Sequence, residues 1–381
     1  MHLNRIKKVG SINGLIKKLM FALVLLSFTI SFRTIVKATK AQDSVERIIA
    51  EETAKLMKSP SYKAVSGVIY IKGKAYYFNY GKLSNGQQPN NNTIYEIGSI
   101  TKTYTGLLLS QAVHDRKIGL DDDVRKYLDG KYSNLTLDNG PITIRHLITH
   151  TSGLPLVMNC DEHTQNVKAQ IDCFEKFRKE DFFKALKTVQ PSDKSGENYH
   201  YSGVGTQLVG YILEQAYRMS HKELLQKYVF SRSTEKQTYL TLKQYENPNV
   251  SMGRNSEGKP VPLINGFYDY SGSMKASATS MLNYIKMYLE SNNVVVKQTM
   301  SQLAGDMLHG RAYAWNTYAY NTPKKMLYHN GSSFGHSSWI ALYPNQKVGI
   351  FIVTNVVTAD SQQKLNEISN RIIDRLNIET D

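Results

Sequence analysis

Cysteine is almost absent from the 381 residues: Cys160 and Cys173 are the only two, and no C-x-x-C pair occurs. That excludes a disulfide-stapled scaffold and a dithiol redox site; in an oxidising compartment the two would form one local clip, Cys160 to Cys173. Acidic residues are missing from the first 38 positions, where seven of the 47 Lys and Arg stand. The formal charge of +15 is therefore partly a property of that segment. The remaining lysines form no basic block, so nucleic-acid binding is not indicated. No internal repeat is present. With 41% hydrophobic and 21% charged residues, pervasive disorder and a polytopic membrane protein are excluded as well.

The first segment has its own logic. Arg5, Lys7, Lys8, Lys17 and Lys18 precede an uncharged apolar run, Leu19 to Phe32. That run is shorter than the roughly 20 residues a membrane-spanning helix needs. Small residues follow at Val36–Ala38, the pattern of a secretory signal peptide over 1–38, cut after Ala38 or Ala41. Arg33 and Lys37 leave an uncleaved anchor as the rival. Either way the expectation is an exported chain, periplasmic or extracellular, touching a membrane only through a retained leader.

Beyond it, residues 43–57 place Val45, Ile48, Ile49 and Leu56 near one helical face. Val65–Lys72 and Lys74–Tyr80 read as a hairpin around Gly73. Residues 100 to 290 are mostly helical, with long polar connections. Strand character returns at Ser337–Tyr343 and Val348–Thr354, and a helix over Ser361–Leu376 closes the chain. Strands at both ends with helices between predict an α/β fold of the α+β type. Its antiparallel sheet would be flanked by helices and built from 39–98 and 266–381, with a mostly helical domain, 99–265, inserted. A cleft at the seam is where a site would form.

The sharpest local signal is Ile97-Gly98-Ser99-Ile100-Thr101-Lys102. Ile100, Tyr104, Leu107, Leu108 and Gln111 fall on one helical stripe, and Arg116, Lys117 and Gly119 read as the helix stop. Ser99 and Lys102 then share a face one turn apart. A serine hydroxyl needs a neighbour to take its proton, and a buried lysine can, because burial disfavours its charged form. Alone, S-x-x-K recurs by chance, and a capping serine at a helix start is the ordinary explanation.

Two further segments displace that explanation: Tyr199-His200-Tyr201-Ser202-Gly203 before a helical run, and His329-Asn330-Gly331-Ser332 before the last strand pair. With S-x-x-K they resemble the three motifs of the serine β-lactamase and penicillin-binding-protein superfamily. The likeness is closer to class C β-lactamases and the related D-alanyl-D-alanine carboxypeptidases, D-aminopeptidases and esterases. It extends through Tyr95–Gly98, Leu120–Leu128, Ile142–Pro155 and Ser271–Leu289, so it covers nearly all of the chain after the leader.

The resemblance implies a β-lactamase/transpeptidase-like fold and acyl-enzyme chemistry on a small-molecule or peptide substrate, peptidoglycan included, without metal or organic cofactor. Ser99 would be acylated and Lys102 would share its proton. Tyr201, held partly ionised by positive charge, would be the general base and then protonate the leaving group. His329, Asn330 and Gly331 would line the cleft, His329 against a substrate carboxylate, and the backbone N–H groups of Ser99 and Ser332 would form the oxyanion hole. One departure stands out. The second motif usually ends in Asn, which contacts the substrate amide and the lysine; here Gly203 supplies neither bond and is expected to leave extra room. That weakens penicillin or cephalosporin hydrolysis more than acyl transfer itself, with Asn198 or Asn330 as substitutes.

Other patterns have plainer explanations. Gly331-Ser332-Ser333-Phe334-Gly335 matches the nucleophile elbow of α/β-hydrolases, but a strand follows it and His336 is the last histidine. His146 and His150 lack the Glu of a zinc motif and read as a structural loop with His150 hydrogen-bonded. Asp121–Asp123 reads as a solvated turn capping a helix, and most of the 25 tyrosines as amphipathic core-edge residues. The function expected is an exported serine hydrolase acting on a D-amino-acid-containing cell-wall peptide or a small ester. The alternatives are a class C-like β-lactamase and a non-catalytic penicillin-binding or assembly protein.

Overall fold

The structure is a computed structural model that describes residues 44–158, 167–243, 246–266, 268–320 and 324–377. The leader over 1–38 and Cys160 lie outside the described residues; Cys173 is disulfide-bonded. The chain falls into two compact units, Met1–Glu51 and Glu52–Asp381. Of the first, residues 44–51 are described and are helical.

The second unit is built on an eight-stranded antiparallel sheet. Its strands are β1 (Ala64–Ile71), β2 (Lys74–Gly81), β5 (Ala304–Gly305), β6 (His309–Arg311), β7 (Asn316–Ala319), β8 (Lys325–Ser332), β9 (Ser337–Tyr343) and β10 (Val348–Thr354). Between β2 and β5, β3 (Ile94–Glu96) and β4 (Lys275–Ser277) pair with each other in a second, small sheet. The order of the large sheet is β5-β6-β7-β8-β9-β10-β1-β2. The β10–β1 pair, with Val65 opposite Thr354 and Ile71 opposite Val348, joins the first and last strands of this sheet in the sequence. β9 and β10 are buried along their whole length, so their sequences run apolar instead of alternating. Hairpin and strand bounds agree with the sequence reading to within a residue. The strands β5 to β7 were not foreseen, because Gly305, Asp306, Gly310 and Arg311 break any apolar alternation there.

The helices that position the site are α1 (Thr101–His114), α2 (Ile144–Thr149), α3 (Val167–Lys176), α4 (Gly203–Tyr217), α5 (Ala278–Glu290) and α6 (Ser361–Arg375). α1 is buried on every side from Thr101 to Ala112 and so has no polar face to reveal it. It does not stop at Gly119. Arg116 takes the left-handed conformation (φ 57) one residue past the Asp115 cap, and the Gly119 N–H is held by the Asp122 carboxylate at 2.8 Å. The three aspartates do form a capped turn: Asp123 caps the short helix Val124–Tyr127, and Asp121 holds Arg145 through two hydrogen bonds.

Candidate active site

Ser99 sits in a single 3-10 turn, Gly98–Ile100, that runs directly into α1. Three side-chain and backbone ties fix this turn. Thr101 Oγ1 donates to the Gly98 carbonyl at 2.6 Å and accepts from Met274 N–H at 3.2 Å, while Ile97 N–H donates to Met274 O at 3.0 Å. Gly98 has φ 52, open to glycine at little cost. A Cβ there would fall 2.5 Å from Ser332 N, and one on Gly331 would collide with the Ile97 carbonyl. The two glycines let the serine turn and the end of β8 touch backbone to backbone. That contact brings the Ser99 and Ser332 peptides together.

One turn on, Lys102 is 2% exposed; its Nζ donates to Ser99 Oγ at 3.1 Å and to the Ser271 carbonyl at 2.6 Å. Burial pushes the Lys102 amine down to about 7, far below an ordinary lysine. Its Nζ lies 4.8 Å from the centre of the Tyr201 ring. The Tyr201 hydroxyl is hydrogen-bonded with Ser99, yet burial raises this phenol above its ordinary range, and the Tyr199 phenol adds to the rise. The expected partly ionised Tyr201 is therefore corrected: desolvation outweighs the Ser99 hydrogen bond, and the phenol is neutral.

Tyr201 is held from both sides by a residue that the sequence reading left in a structural loop. The His150 carbonyl accepts from His200 N–H at 2.7 Å and its Nδ1 accepts from Ser202 N–H at 3.3 Å. Its ring centre lies 4.7 Å from that of Tyr201. His150 is buried in the left-handed conformation (φ 62) that ends α2. Burial, and then the charge of Lys102, hold it well below the usual imidazole range, so it is neutral. Its place just before Thr151-Ser152-Gly153, inside the Ile142–Pro155 stretch of the resemblance, fits the expected hydrogen-bonded loop histidine, but its partners are the two N–H groups that flank Tyr201. His146 instead completes the Thr143 cap of α2.

His329 is buried on β8 with its ring centre 6.4 Å from that of Tyr201 and its Nδ1 bonded to the Asn330 carbonyl at 2.7 Å. Burial and the Lys102 charge push it down to about 3. It is therefore neutral, and any contact it makes with a substrate carboxylate is a hydrogen bond and not an ion pair. Asn330 is exposed and alternates to the other face of the strand. Asn198 is engaged by Ser195. Gly203 lies in the wall of the site, at the start of α4 behind the Ser202 cap, but it leaves no room. A Cβ there would fall 2.5 Å from the Leu156 carbonyl, because Ser202 Oγ draws the preceding Pro155 carbonyl in at 2.9 Å.

A cavity of about 290 Å³ opens on Ser99 and Lys102 and reaches Gly203, Ser271 and Ser332. The serine, the amine and the end of the third-motif strand thus share one hollow, with the Tyr201 phenol reaching Ser99 from beside it, while His329, Asn330 and Gly331 are not among its lining residues. Such an arrangement can deprotonate an alcohol and offer peptide N–H groups to a developing oxyanion.

Comparison with known proteins agrees with this architecture. "Protein flp" of Staphylococcus aureus (strain MW2) is 24% identical over 290 residues, 74% of this chain and 56% of that one. The chain thus spans little more than half the length of that relative. "Beta-lactamase" of Providencia stuartii is 24% identical over 344 residues, 79% of this chain and 84% of its own. Among solved structures, "A class C beta-lactamase" superposes with a TM-score of 0.74 at 21% identity, covering 88% of this chain and 97% of that one. "Beta-Lactamase/D-Alanine Carboxypeptidase from Pseudomonas syringae" gives 0.71 at 19% identity, covering 87% and 98%. At such identities the superpositions establish the fold alone. The Beta-lactamase family profile matches residues 49–371, most of the chain, so the chain belongs to the Beta-lactamase family, a family of serine hydrolases.

Proposed function

We propose that the chain is an exported serine acyl hydrolase that opens an amide or ester through an acyl-enzyme on Ser99. The observation that carries this reading is the buried Lys102 amine, 3.1 Å from Ser99 Oγ and brought down to about 7. Near neutral pH a large share of it is unprotonated and can accept the serine proton as Oγ bonds to the substrate carbonyl. The oxyanion is met by the Ser99 and Ser332 N–H groups. The C–O or C–N bond to the leaving group then breaks, and the proton passes from Lys102 through the neutral Tyr201 hydroxyl to that group. Water reverses the sequence and frees the acid.

The substrate class is a D-amino-acid-containing peptide or a small ester. Turnover of β-lactams is the second reading, favoured by the Providencia stuartii relative. A chromogenic cephalosporin and a 4-nitrophenyl ester, each run on wild type and Ser99→Ala, test both. Sustained ester turnover lost in Ser99→Ala, with at most a stoichiometric burst on the cephalosporin, is the expected result. Sustained cephalosporin turnover supports the lactamase, and turnover surviving in Ser99→Ala ends the proposal.

A further inference from the structure

The wall of the cavity beside Ser99 carries an inference about the acyl group, which rests on the hydrolase reading above. Its apolar wall is made by Leu156, Val157, Phe174, Ile264, Tyr268 and Phe334. Three of these rings pack as one unit: Phe174 lies 5.2 Å from Tyr268 and 5.7 Å from Phe334, each edge to face. Phe174 stands on α3 next to the disulfide-bonded Cys173.

Most polar atoms around the hollow are committed elsewhere. The Tyr268 hydroxyl accepts from Met158 N–H at 2.9 Å, and Ser273 Oγ donates to Gly266 O at 3.3 Å. Ser332 Oγ donates to Ser333 O at 3.2 Å, and Ser333 Oγ accepts from the Gly335 and His336 N–H groups at 3.2 and 3.0 Å. Gln170 is the one side-chain amide among the described lining residues, and it too has a partner. Lys102 is the one Lys, Arg, His, Asp or Glu among them, and it is already bonded to Ser99 and Ser271. Where a side-chain amide could reach an acylamino group, Gly203 offers nothing, and the Leu156 backbone closes the space. A charged acyl group meets no opposite side-chain charge in this lining beyond the engaged Lys102, and an acylamino group meets no side-chain amide except the engaged Gln170, whereas an apolar acyl group needs neither.

We infer that the acyl group is uncharged and apolar, of about the size of a phenylacetyl group, and carries no acylamino substituent. This narrows the substrate to esters or amides of simple aromatic or aliphatic acids. A ring seated among Phe174, Tyr268 and Phe334 makes edge-to-face contacts and leaves water behind.

The test is the rate at which Ser99 gains acyl mass, read by rapid-quench intact-mass spectrometry, from four 4-nitrophenyl esters. These are the acetate, the phenylacetate, the monosuccinate and the N-acetyl-D-alanyl ester. The phenylacetate is expected to acylate at least about 10-fold faster than each of the others. F174A should shrink that preference severalfold, with F334A as the second variant if one fails to fold. Equal rates, or a lead for the succinyl or acetyl-D-alanyl ester, overturn the inference while the hydrolase reading stands. Acyl mass on no ester, or mass that persists in Ser99→Ala, overturns the reading and the inference with it.

Discussion

At the scale of single residues, the site rests on an unfavourably buried cation. The fold surrounds the Lys102 amine with two neutral oxygens, Ser99 Oγ and Ser271 O, and pairs it with no carboxylate among the described residues. Below about pH 7 the amine is protonated in the folded and the unfolded chain alike, and the full cost of burying its charge is present. Between about 7 and 10.5 the unfolded chain holds a proton that the folded chain has released, so stability rises with pH across that window. Lys102→Met should therefore abolish ester turnover yet stabilise the protein by about 1–3 kcal/mol at pH 6, with the gain shrinking toward pH 10. Urea unfolding at the two pH values reads this directly. A variant that is less stable at pH 6 would mean that the amine is not disfavoured where it sits.

At the scale of elements, the decisive contact is between the 3-10 turn before α1 and the end of β8. The resemblance implied that they meet at the oxyanion hole, but no periodicity or propensity in either segment shows it. The Ser99 turn was legible because serine and lysine stand one turn apart at a helix start, and β9 and β10 because their apolar runs are bounded by turn residues. The partner surfaces were not, because a close approach of two backbones leaves only glycines as its trace, and Gly98 and Gly331 lie 233 positions apart. His150 was illegible for a related reason: its task depends on two N–H groups of a loop 50 residues on. Gly331→Ala is expected to lower acylation at least about 100-fold, because its methyl would drive the strand off the Ile97 carbonyl and spread the two oxyanion donors apart. The far-UV spectrum should change little. Unaltered acylation by this variant would show that the backbone contact does not set the site.

At the scale of the whole molecule, the second unit is closed where its first described helical turns meet its last helix. The Glu52 carboxylate is 1% exposed and accepts from Arg371 at 2.8 Å, Arg375 at 2.7 Å and Lys55 at 2.7 Å. Burial alone would raise it, but these bonds outweigh burial and hold it at about 2. Its contribution is complete above about pH 4.5 and is lost as pH falls toward 2. The cations are partly exposed, so Glu52→Gln should cost about 1–2 kcal/mol at pH 7 and nearly nothing at pH 2.5. A cost equal at both pH values would contradict the ion cluster. The antiparallel sheet could be foreseen in outline because its β10–β1 pair joins two apolar stretches that are far apart in the sequence.

Whether Lys102 or Tyr201 removes the proton from Ser99 is read from the pH dependence of Ser99 acylation by a 4-nitrophenyl ester. With Lys102 as the base the rate should rise through about pH 7, level above it, and disappear in Lys102→Met. A rate that is flat from pH 6 to 8 and climbs only in the range where phenols ionise would contradict it.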